Sequence, residues 1–220
     1  MLNIVFLGTT IFSIGVLKRL IEAEYHISAI ITQPDRECGR GRVLTPPPIK
    51  TWSKDHGLMV LQPEKINRGD FLESIRNLSP DMIIVAAYGQ ILRHSFLKIA
   101  PLGCINVHAS LLPRYRGADP IRWAILNGEK TTGVSIMLMD EGIDTGPIIA
   151  TCEVPIDDLD NGLTLQLKLG ELGGELLVDI LPSWIHGEIT PIPQNQEKAT
   201  YVGKISKELY HINWTRSAEE

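Results

Sequence analysis

The sequence predicts an α/β fold in one large domain, and three observations lead to this prediction. Short, continuously apolar runs, such as residues 2–8 and 82–88, are typical of strands buried on both faces of a sheet. Segments with apolar residues at helical spacing, such as 11–23, lie between these runs. Strands that alternate with helices favour parallel pairing with right-handed crossovers. We therefore expect a doubly wound, mostly parallel sheet of the Rossmann-like type.

The remaining elements are expected to follow in the same alternating order. A second strand is predicted at 27–32, directly after the first helix. Further apolar runs predict strands at 59–63, 82–88, 104–110, 132–139 and 146–155. Helical spacing predicts helices at 49–56, 69–77, 93–99, 119–127 and 162–186. Asp119 is expected to cap the helix at 119–127, with Pro120 in its first turn.

Two segments depart from this rhythm. Residues 33–48 contain four prolines and two glycines, which predicts a long loop, and long loops in compact domains are commonly functional. After Gly187 the apolar pattern weakens and the chain becomes proline-rich. We therefore predict a main domain over residues 1–188 and an extended linker over residues 189–220.

Composition excludes several functional classes. The net charge of −5 gives no overall basic field for nucleic acid, so any such contact must be local. Three widely separated cysteines form no metal-ligand spacing and no disulfide framework, and reduced thiols in a cytoplasmic protein are expected. No apolar run approaches the roughly 18 residues of a membrane span, so no membrane association is expected.

Two polar side chains stand out on the strand predicted at 104–110. Residues two apart on a strand point to the same face, so Asn106 and His108 should lie side by side. Ligands in open α/β sheets bind beyond the carboxyl ends of strands, and an amide and an imidazole there could both donate to an oxyanion. A dinucleotide site after the first strand is not favoured, because FLGTT lacks the glycine fingerprint.

Asp144 is the third candidate, in the glycine-flanked segment DEGIDTG between two predicted strands. Asp140 and Glu141 lie nearby, but their spacing matches no calcium loop, and a solvated acidic turn is an equal interpretation for them. A carboxylate beside His108 would fix the tautomer of the imidazole. In the loop 110–120, Arg114 and Arg116 could meet carboxylates or phosphates, or could simply be solvated.

These residues together resemble the folate-dependent formyltransferase family. The segment NVHASLLPRYRGADPIRWAILNGEKTTGVSIMLMDEGIDTG, at 106–146, is similar to the family signature. The resemblance implies the formyltransferase fold, with the catalytic domain at 1–188, and a reaction that needs no metal. It implies that Asn106, His108 and Asp144 are catalytic, and that Ser110, Leu111, Leu112 and Pro113 line the site for 10-formyltetrahydrofolate, the formyl donor.

Within the family the resemblance is to the subgroup that acts on initiator methionyl-tRNA. TQPDRECGRGR (32–42), MIIVAAYGQIL (82–92) and ELGGELLVDIL (171–181) follow that subgroup. Its basic loop is inserted beside the acceptor end of the tRNA, which implies tRNA contacts for Arg36, Arg40 and Arg42. The subgroup continues into a small β-barrel, so 189–220 is expected to begin a truncated C-terminal region.

Two alternative functions remain open at this point. A small amine, such as a nucleotide sugar or glycinamide ribonucleotide, could be the acceptor, although a small acceptor does not need a long basic loop. A folate- or RNA-binding module without activity could dispense with Asn106, His108 and Asp144, but all three are present. We also expect the protein to be a monomer.

Overall fold

The structure is a computed structural model that describes residues 2–212 and 214–217. Strands in this part of the chain are β1 (Asn3–Gly8), β2 (His26–Ile31), β3 (Arg36–Cys38), β4 (Val43–Thr45), β5 (Val60–Leu61), β6 (Met82–Ala86), β7 (Cys104–His108), β8 (Arg116–Gly117), β9 (Thr131–Leu138), β10 (Ile148–Pro155) and β11 (Tyr201–Val202). The α-helices are α1 (Ile11–Glu22), α2 (Pro48–Asp55), α3 (Gly69–Asn77), α4 (His94–Leu97), α5 (Pro120–Leu126) and α6 (Gly162–Ile185). Single 3₁₀ turns lie at Gln196–Lys198 and Lys207–Tyr210.

The main sheet has seven strands in the order β10-β9-β7-β6-β1-β2-β5. All neighbours from β7 to β5 are parallel, whereas β9 runs antiparallel to both β7 and β10. The strand order reverses direction around β1, as a doubly wound sheet requires. The predicted α/β class and mostly parallel sheet are therefore confirmed.

Helices cover the two faces of the sheet unequally. Helices α1, α2, α5 and α6 contribute to one buried cluster with inward residues of β1, β6, β7 and β9, whereas α3 and α4 contribute to a second cluster on the other face. Helices α1 and α6 pack at backbone contact, because a Cβ on Gly15 would lie 2.6 Å from the carbonyl carbon of Gly170. The second cluster involves β1, β2, β6 and the start of β7.

Two local predictions are wrong in their details. The segment 33–48 is more than a loop, because β3 and β4 pair within it as an antiparallel hairpin from Arg36↔Thr45 to Cys38↔Val43. Asp119 precedes α5 but makes no side-chain cap, since it has a left-handed backbone (φ 64°) and its carboxylate contacts Arg122 at 3.4 Å. Sequence propensity therefore located the start of the helix correctly, but the Asp119 carboxylate pairs with Arg122 and does not cap the helix.

The segment after Gly187 returns to the main domain. Strand β11 pairs in parallel with β8, and Ile192 forms a bridge with Ile148 at the start of β10. The boundary between 188 and 189 stays a prediction, but residues 192–202 are packed beside the loops that follow β7. Within the described residues, no helix is both long enough and apolar enough to cross a bilayer.

Candidate functional site

Asn106 and His108 lie within strand β7 and point away from the larger buried cluster. Their neighbours Ile105 and Val107 belong to that cluster, and strand alternation puts the two polar side chains on the opposite face. Asn106 pairs in register with Met137 and His108 with Ser135, both on β9. Asn106 and His108 therefore lie on one face of the strand, as expected, and His108 is its last residue, next to the loop that follows.

The antiparallel direction of β9 explains how Asp144 reaches them. Since Leu138 at the end of β9 pairs with Ile105, the loop that follows begins beside the start of β7. Asp144 Oδ1 accepts a hydrogen bond from Asn106 Nδ2 at 3.4 Å, and Oδ2 lies 3.7 Å from His108 Nδ1. The structure thus brings together the three side chains that the sequence singled out, across 38 residues of chain.

The main chain of the loop after β7 fixes the remaining polar atoms. His108 Nε2 lies 3.0 Å from the carbonyl oxygen of Tyr115, which can only accept, so Nε2 carries a hydrogen. His108 Nδ1 then faces the Asp144 carboxylate. Because both ring nitrogens face acceptors, the imidazolium is the form in which both can donate. The amide of Gly117 donates to Asp144 Oδ2 at 2.7 Å and holds the carboxylate in place.

The Asp144 loop has little freedom to move. Asp144 has a left-handed backbone (φ 52°), which is uncommon for a residue other than glycine. A Cβ on Gly146 would lie 1.9 Å from the carbonyl oxygen of Leu138, and one on Gly142 would lie 1.9 Å from Thr145 Oγ1. Asp140 Oδ1 accepts from the Gly142 amide at 3.0 Å and from Thr145 Oγ1 at 2.7 Å. The two glycines are therefore required by contact, and Asp140 belongs to the turn.

The predicted folate segment, Ser110 to Pro113, is also held from β9. Ser135 is fully buried, and its hydroxyl donates to the Ser110 carbonyl at 2.7 Å while accepting from the Leu112 amide at 2.9 Å. The Leu111 carbonyl accepts from the Arg114 amide at 3.1 Å. These main-chain groups are satisfied within the chain, so a ligand would have to use other groups of the segment. Its role in binding folate stays a prediction.

The two arginines of this loop have different environments. Arg114 pairs with the carboxylate of Glu129, which agrees with the prediction that it meets a carboxylate or phosphate. Arg116 meets neither solvent nor a carboxylate, because it is completely buried and its guanidinium binds Gln194, Gln196 and the Tyr201 hydroxyl. Both interpretations of Arg116 were therefore wrong, since the partners come from a segment about 80 residues later.

The arginines predicted to contact tRNA lie apart from this cluster, on the exposed β3–β4 hairpin. Arg36 contacts Glu64 at 2.9 Å, and Arg42 contacts Glu37 at 3.2 Å. Arg40 is exposed in the turn, and no ion pair within 4.0 Å joins it to another described residue. Glu141 forms an exposed pair with His94 at 2.8 Å.

The candidate metal ligands and the cysteines can be described from the same part of the chain. Residues 2–212 and 214–217 contain no group of three or more His, Cys, Asp or Glu that could hold a metal ion. The three cysteines are free, and burial raises the pKa of the Cys104 thiol to about 12. Cys104 is thus a packing residue of β7, because its thiolate is strongly disfavoured.

Sequence reasoning missed three contributors to the site. Tyr115 and Gly117 act through main-chain atoms, which leave no side-chain signal in a sequence. Gln194 donates to the carbonyl oxygens of Asp144 and Gly146 from the segment expected to be a linker. A hint for Gln194 was available, because PIPQNQ places amides in an otherwise apolar and proline-rich run.

Comparison with known proteins identifies the family. Residues 2–181 match the family described as Formyl transferase. The methionyl-tRNA formyltransferase of Bacillus pumilus is 50% identical over 220 residues, covering 100% of this chain and 69% of the relative. That of Enterococcus faecalis is 49% identical over 219 residues, covering 100% of this chain and 70% of the relative.

Solved structures agree in fold. A Helicobacter canadensis N-formyltransferase, in complex with folinic acid and dTDP-3-aminofucose, superposes with a TM-score of 0.73 at 20% identity, covering 99% of this chain and 77% of that one. A phosphoribosylglycinamide formyltransferase from Bacillus halodurans superposes with a TM-score of 0.63 at 23% identity, covering 84% and 94%. Together with the sequence matches, these findings show that the chain belongs to the formyl transferase family and, within it, to the methionyl-tRNA formyltransferases.

Proposed function

We propose that this enzyme transfers a formyl group from 10-formyltetrahydrofolate to the α-amine of initiator methionyl-tRNA, the step that prepares this tRNA for translation initiation. The observation that carries the chemistry is the cluster of Asn106, His108 and Asp144, with two donors and one carboxylate within 3.7 Å. The acceptor is supported by the methionyl-tRNA formyltransferases that are about 50% identical over the whole chain.

The geometry suits stabilisation of a tetrahedral oxyanion. When the amine nitrogen attacks the formyl carbon, a carbon–nitrogen bond forms and the formyl oxygen gains negative charge. The second hydrogen of Asn106 Nδ2 and the Nδ1 hydrogen of His108, which lies 3.7 Å from Asp144 and makes no hydrogen bond with it, donate toward that oxygen. Both residues are more than nine-tenths buried, and hydrogen bonds there are stronger than in water. Loss of one donor of this kind typically costs about 100- to 1,000-fold in rate.

Asp144 is the group that we expect to transfer protons during the reaction. Its carboxylate faces His108 Nδ1, and the Tyr115 carbonyl accepts from Nε2 and fixes the ring from the other side. The attacking amine must lose a proton, and the folate nitrogen must gain one as its bond to the formyl carbon breaks. Asp144 accepts the first proton, directly or through water, and returns it to the folate nitrogen as that bond breaks, while the Gly117 amide holds the carboxylate in place.

Folate binding is supported by the family and by the folate-type ligands named in related structures. The Helicobacter enzyme was solved with folinic acid, and an Aquifex aeolicus HypX structure, which superposes with a TM-score of 0.71, was solved with tetrahydrofolic acid. We assign the donor site to the loops beside Asn106, with Ser110 to Pro113 forming one wall. The hairpin arginines Arg36, Arg40 and Arg42 are the proposed tRNA contacts. Cytoplasmic location and a monomeric state stay predictions from the sequence.

A competition between acceptors tests the proposal. The enzyme is given 10-formyltetrahydrofolate with methionyl-tRNA, glycinamide ribonucleotide or a nucleotide-linked amino sugar, and formylated product is measured. Turnover with methionyl-tRNA at a kcat/KM far above that for either small amine is expected. Preference for a small amine would replace the proposed acceptor, and binding of folate without transfer to any amine would remove the catalytic assignment.

A further inference from the structure

Gln194 lies at a point where the segment after α6 meets the Asp144 loop. Its side-chain Nε2 donates to the carbonyl oxygens of Asp144, at 2.9 Å, and Gly146, at 2.7 Å. Its Oε1 accepts from Arg116 Nε at 3.0 Å and Nη2 at 2.7 Å. Both amide hydrogens and both lone pairs are therefore used, in a side chain that is almost fully buried.

Arg116 fixes the orientation of the Gln194 side-chain amide and prevents it from flipping. A guanidinium only donates and stays charged, so Oε1 must face Arg116 and Nε2 must face the two carbonyl groups. Arg116 is completely buried, and no carboxylate lies within 4.0 Å of it among the residues that the structure describes. Its charge is met instead by Gln194, by Gln196 Oε1 at 2.8 Å and by the Tyr201 hydroxyl at 2.8 Å.

The ends of the Asp144 loop are held by main-chain bonds from Leu138 to Pro147 and from Met139 to Cys104, and between them the loop main chain is bound by Gln194. The bonds of Asp140 to Gly142 and Thr145 lie inside the loop, and the exposed Glu141–His94 pair joins side chains only. The bonds from Asn106 and Gly117 end on the Asp144 carboxylate. Gln194 binds the carbonyl groups of Asp144 and Gly146, the residues on either side of Thr145. Asp144 is also the residue with the left-handed backbone, at φ 52°.

We propose that Gln194 is a positioning residue for formyl transfer, which, backed by the buried Arg116, fixes the backbone of the Asp144 loop so that the carboxylate faces His108. The inference rests on the proposed function for its kinetic consequence but not for its geometry. It also gives the segment after residue 188 a part in the active site. Misplacement of a catalytic group by about 1 Å can cost on the order of 100-fold in rate.

The Gln194→Glu variant separates loop positioning from simple packing. A glutamate keeps the size of the side chain and can still bind Arg116 as an ion pair, so the segment should stay docked. It cannot donate to the Asp144 and Gly146 carbonyls, which the carboxylate would repel. We expect kcat for formylation of methionyl-tRNA to fall about 10- to 100-fold, with the KM for methionyl-tRNA and the melting temperature close to wild type.

Amide exchange measured by NMR supplies a readout that does not depend on the acceptor. The Gly117 amide donates to Asp144 and should exchange faster in Gln194→Glu, whereas the Arg116 amide, which donates to the Thr200 carbonyl at 2.8 Å, should stay protected. Gln196→Glu is the matched control, because Gln196 binds Arg116 from an exposed position and does not contact the loop. It should retain wild-type kcat and exchange.

Three outcomes would overturn the inference: wild-type kcat in Gln194→Glu, unchanged exchange at Gly117, or equal loss of protection at Gly117 and Arg116. The last would show that Gln194 only docks the segment. If Gln194→Glu does not fold, Gln194→Met, which has similar length and no hydrogen-bond donor in its side chain, is measured in the same way. If the wild type does not formylate methionyl-tRNA, the proposed function fails, and the exchange at Gly117 decides the positioning role alone.

Discussion

Strand β7 and the β3–β4 hairpin both carry predicted functional side chains, but the protein supports them differently. All five residues of β7 are buried, and Asn106 and His108 are set by a sheet with neighbours on both sides. All six strand residues of the hairpin are exposed, and its ion pairs join side chains that are more than half exposed. Oxyanion stabilisation needs donors fixed within fractions of an ångström, whereas attraction of phosphates by charge tolerates motion.

The largest expected loss of activity follows from the Asn106→Ala substitution in buried strand β7. Asn106→Ala removes an oxyanion donor and the 3.4 Å bond to Asp144. We expect kcat to fall about 100- to 1,000-fold, with the KM for methionyl-tRNA little changed, because the donor acts mainly in the transition state. Steady-state kinetics with 10-formyltetrahydrofolate checks this, and turnover within a few-fold of wild type would remove Asn106 from the mechanism.

Gly146→Ala disturbs the same region through its backbone. The new Cβ would lie 1.9 Å from the Leu138 carbonyl oxygen, so the loop must shift and move Asp144, two residues away. A fall in kcat of roughly 10- to 100-fold is expected, together with a lower melting temperature. Gly69→Ala is the matched control, since a Cβ there meets no atom within 4 Å and Gly69 has no positive φ. Equal activity of the two variants would mean that the loop position does not matter.

The contrast between the two regions also explains what the sequence could predict. Asn106 and His108 were predictable because strand alternation puts residues two apart on one face, whatever the tertiary fold. Asp144 could be paired with them only through the family signature. Its approach depends on the antiparallel direction of β9, which no local pattern of residues 131–138 determines.

Arg116 and the hairpin show where local interpretation stops. An arginine in a polar loop is ordinarily exposed, and its complete burial depends on amides and a hydroxyl about 80 residues away. The prolines and glycines of 33–48 correctly predicted a break in the alternating pattern. They did not show that three residues on each side of the turn would pair with each other.

Arg40→Ala tests the exposed region and should have a smaller effect than either change at the site. Removing a cation that contacts a phosphate is expected to raise the KM for methionyl-tRNA roughly tenfold, with kcat at saturating tRNA unchanged. The dependence of binding on salt should also weaken by about one counterion. Kinetics at several salt concentrations measures both quantities.

Arg76→Ala is the control for Arg40→Ala. Arg76 pairs with Glu73 near the end of α3, just before the start of β6, and therefore lies toward the amino ends of the parallel strands. Its removal should leave the KM for tRNA and the salt dependence unchanged. A similar rise in KM for both variants would show a nonspecific effect of net charge, and no change for Arg40→Ala would separate the hairpin from tRNA binding.

The smallest effect is expected at the junction between the two regions, where Asp35 precedes the hairpin and contacts Lys50 of α2 at 2.7 Å. The hydrogen bond from Gln62, with the hydrogen bond and charge of Lys50, lowers the pKa of Asp35 below its ordinary value of 3.8. A carboxyl with a lowered folded pKa stabilises the fold above its unfolded pKa, and this contribution is lost as pH falls through the folded pKa.

Asp35→Asn should therefore unfold at a lower urea concentration than wild type at pH 7, and this gap between the two urea midpoints should close below about pH 4. Asp158→Asn, at a side chain 97% exposed, should show no gap at either pH. A gap for Asp35→Asn that stays constant down to acid pH would mean that the carboxylate charge does not hold the hairpin to α2.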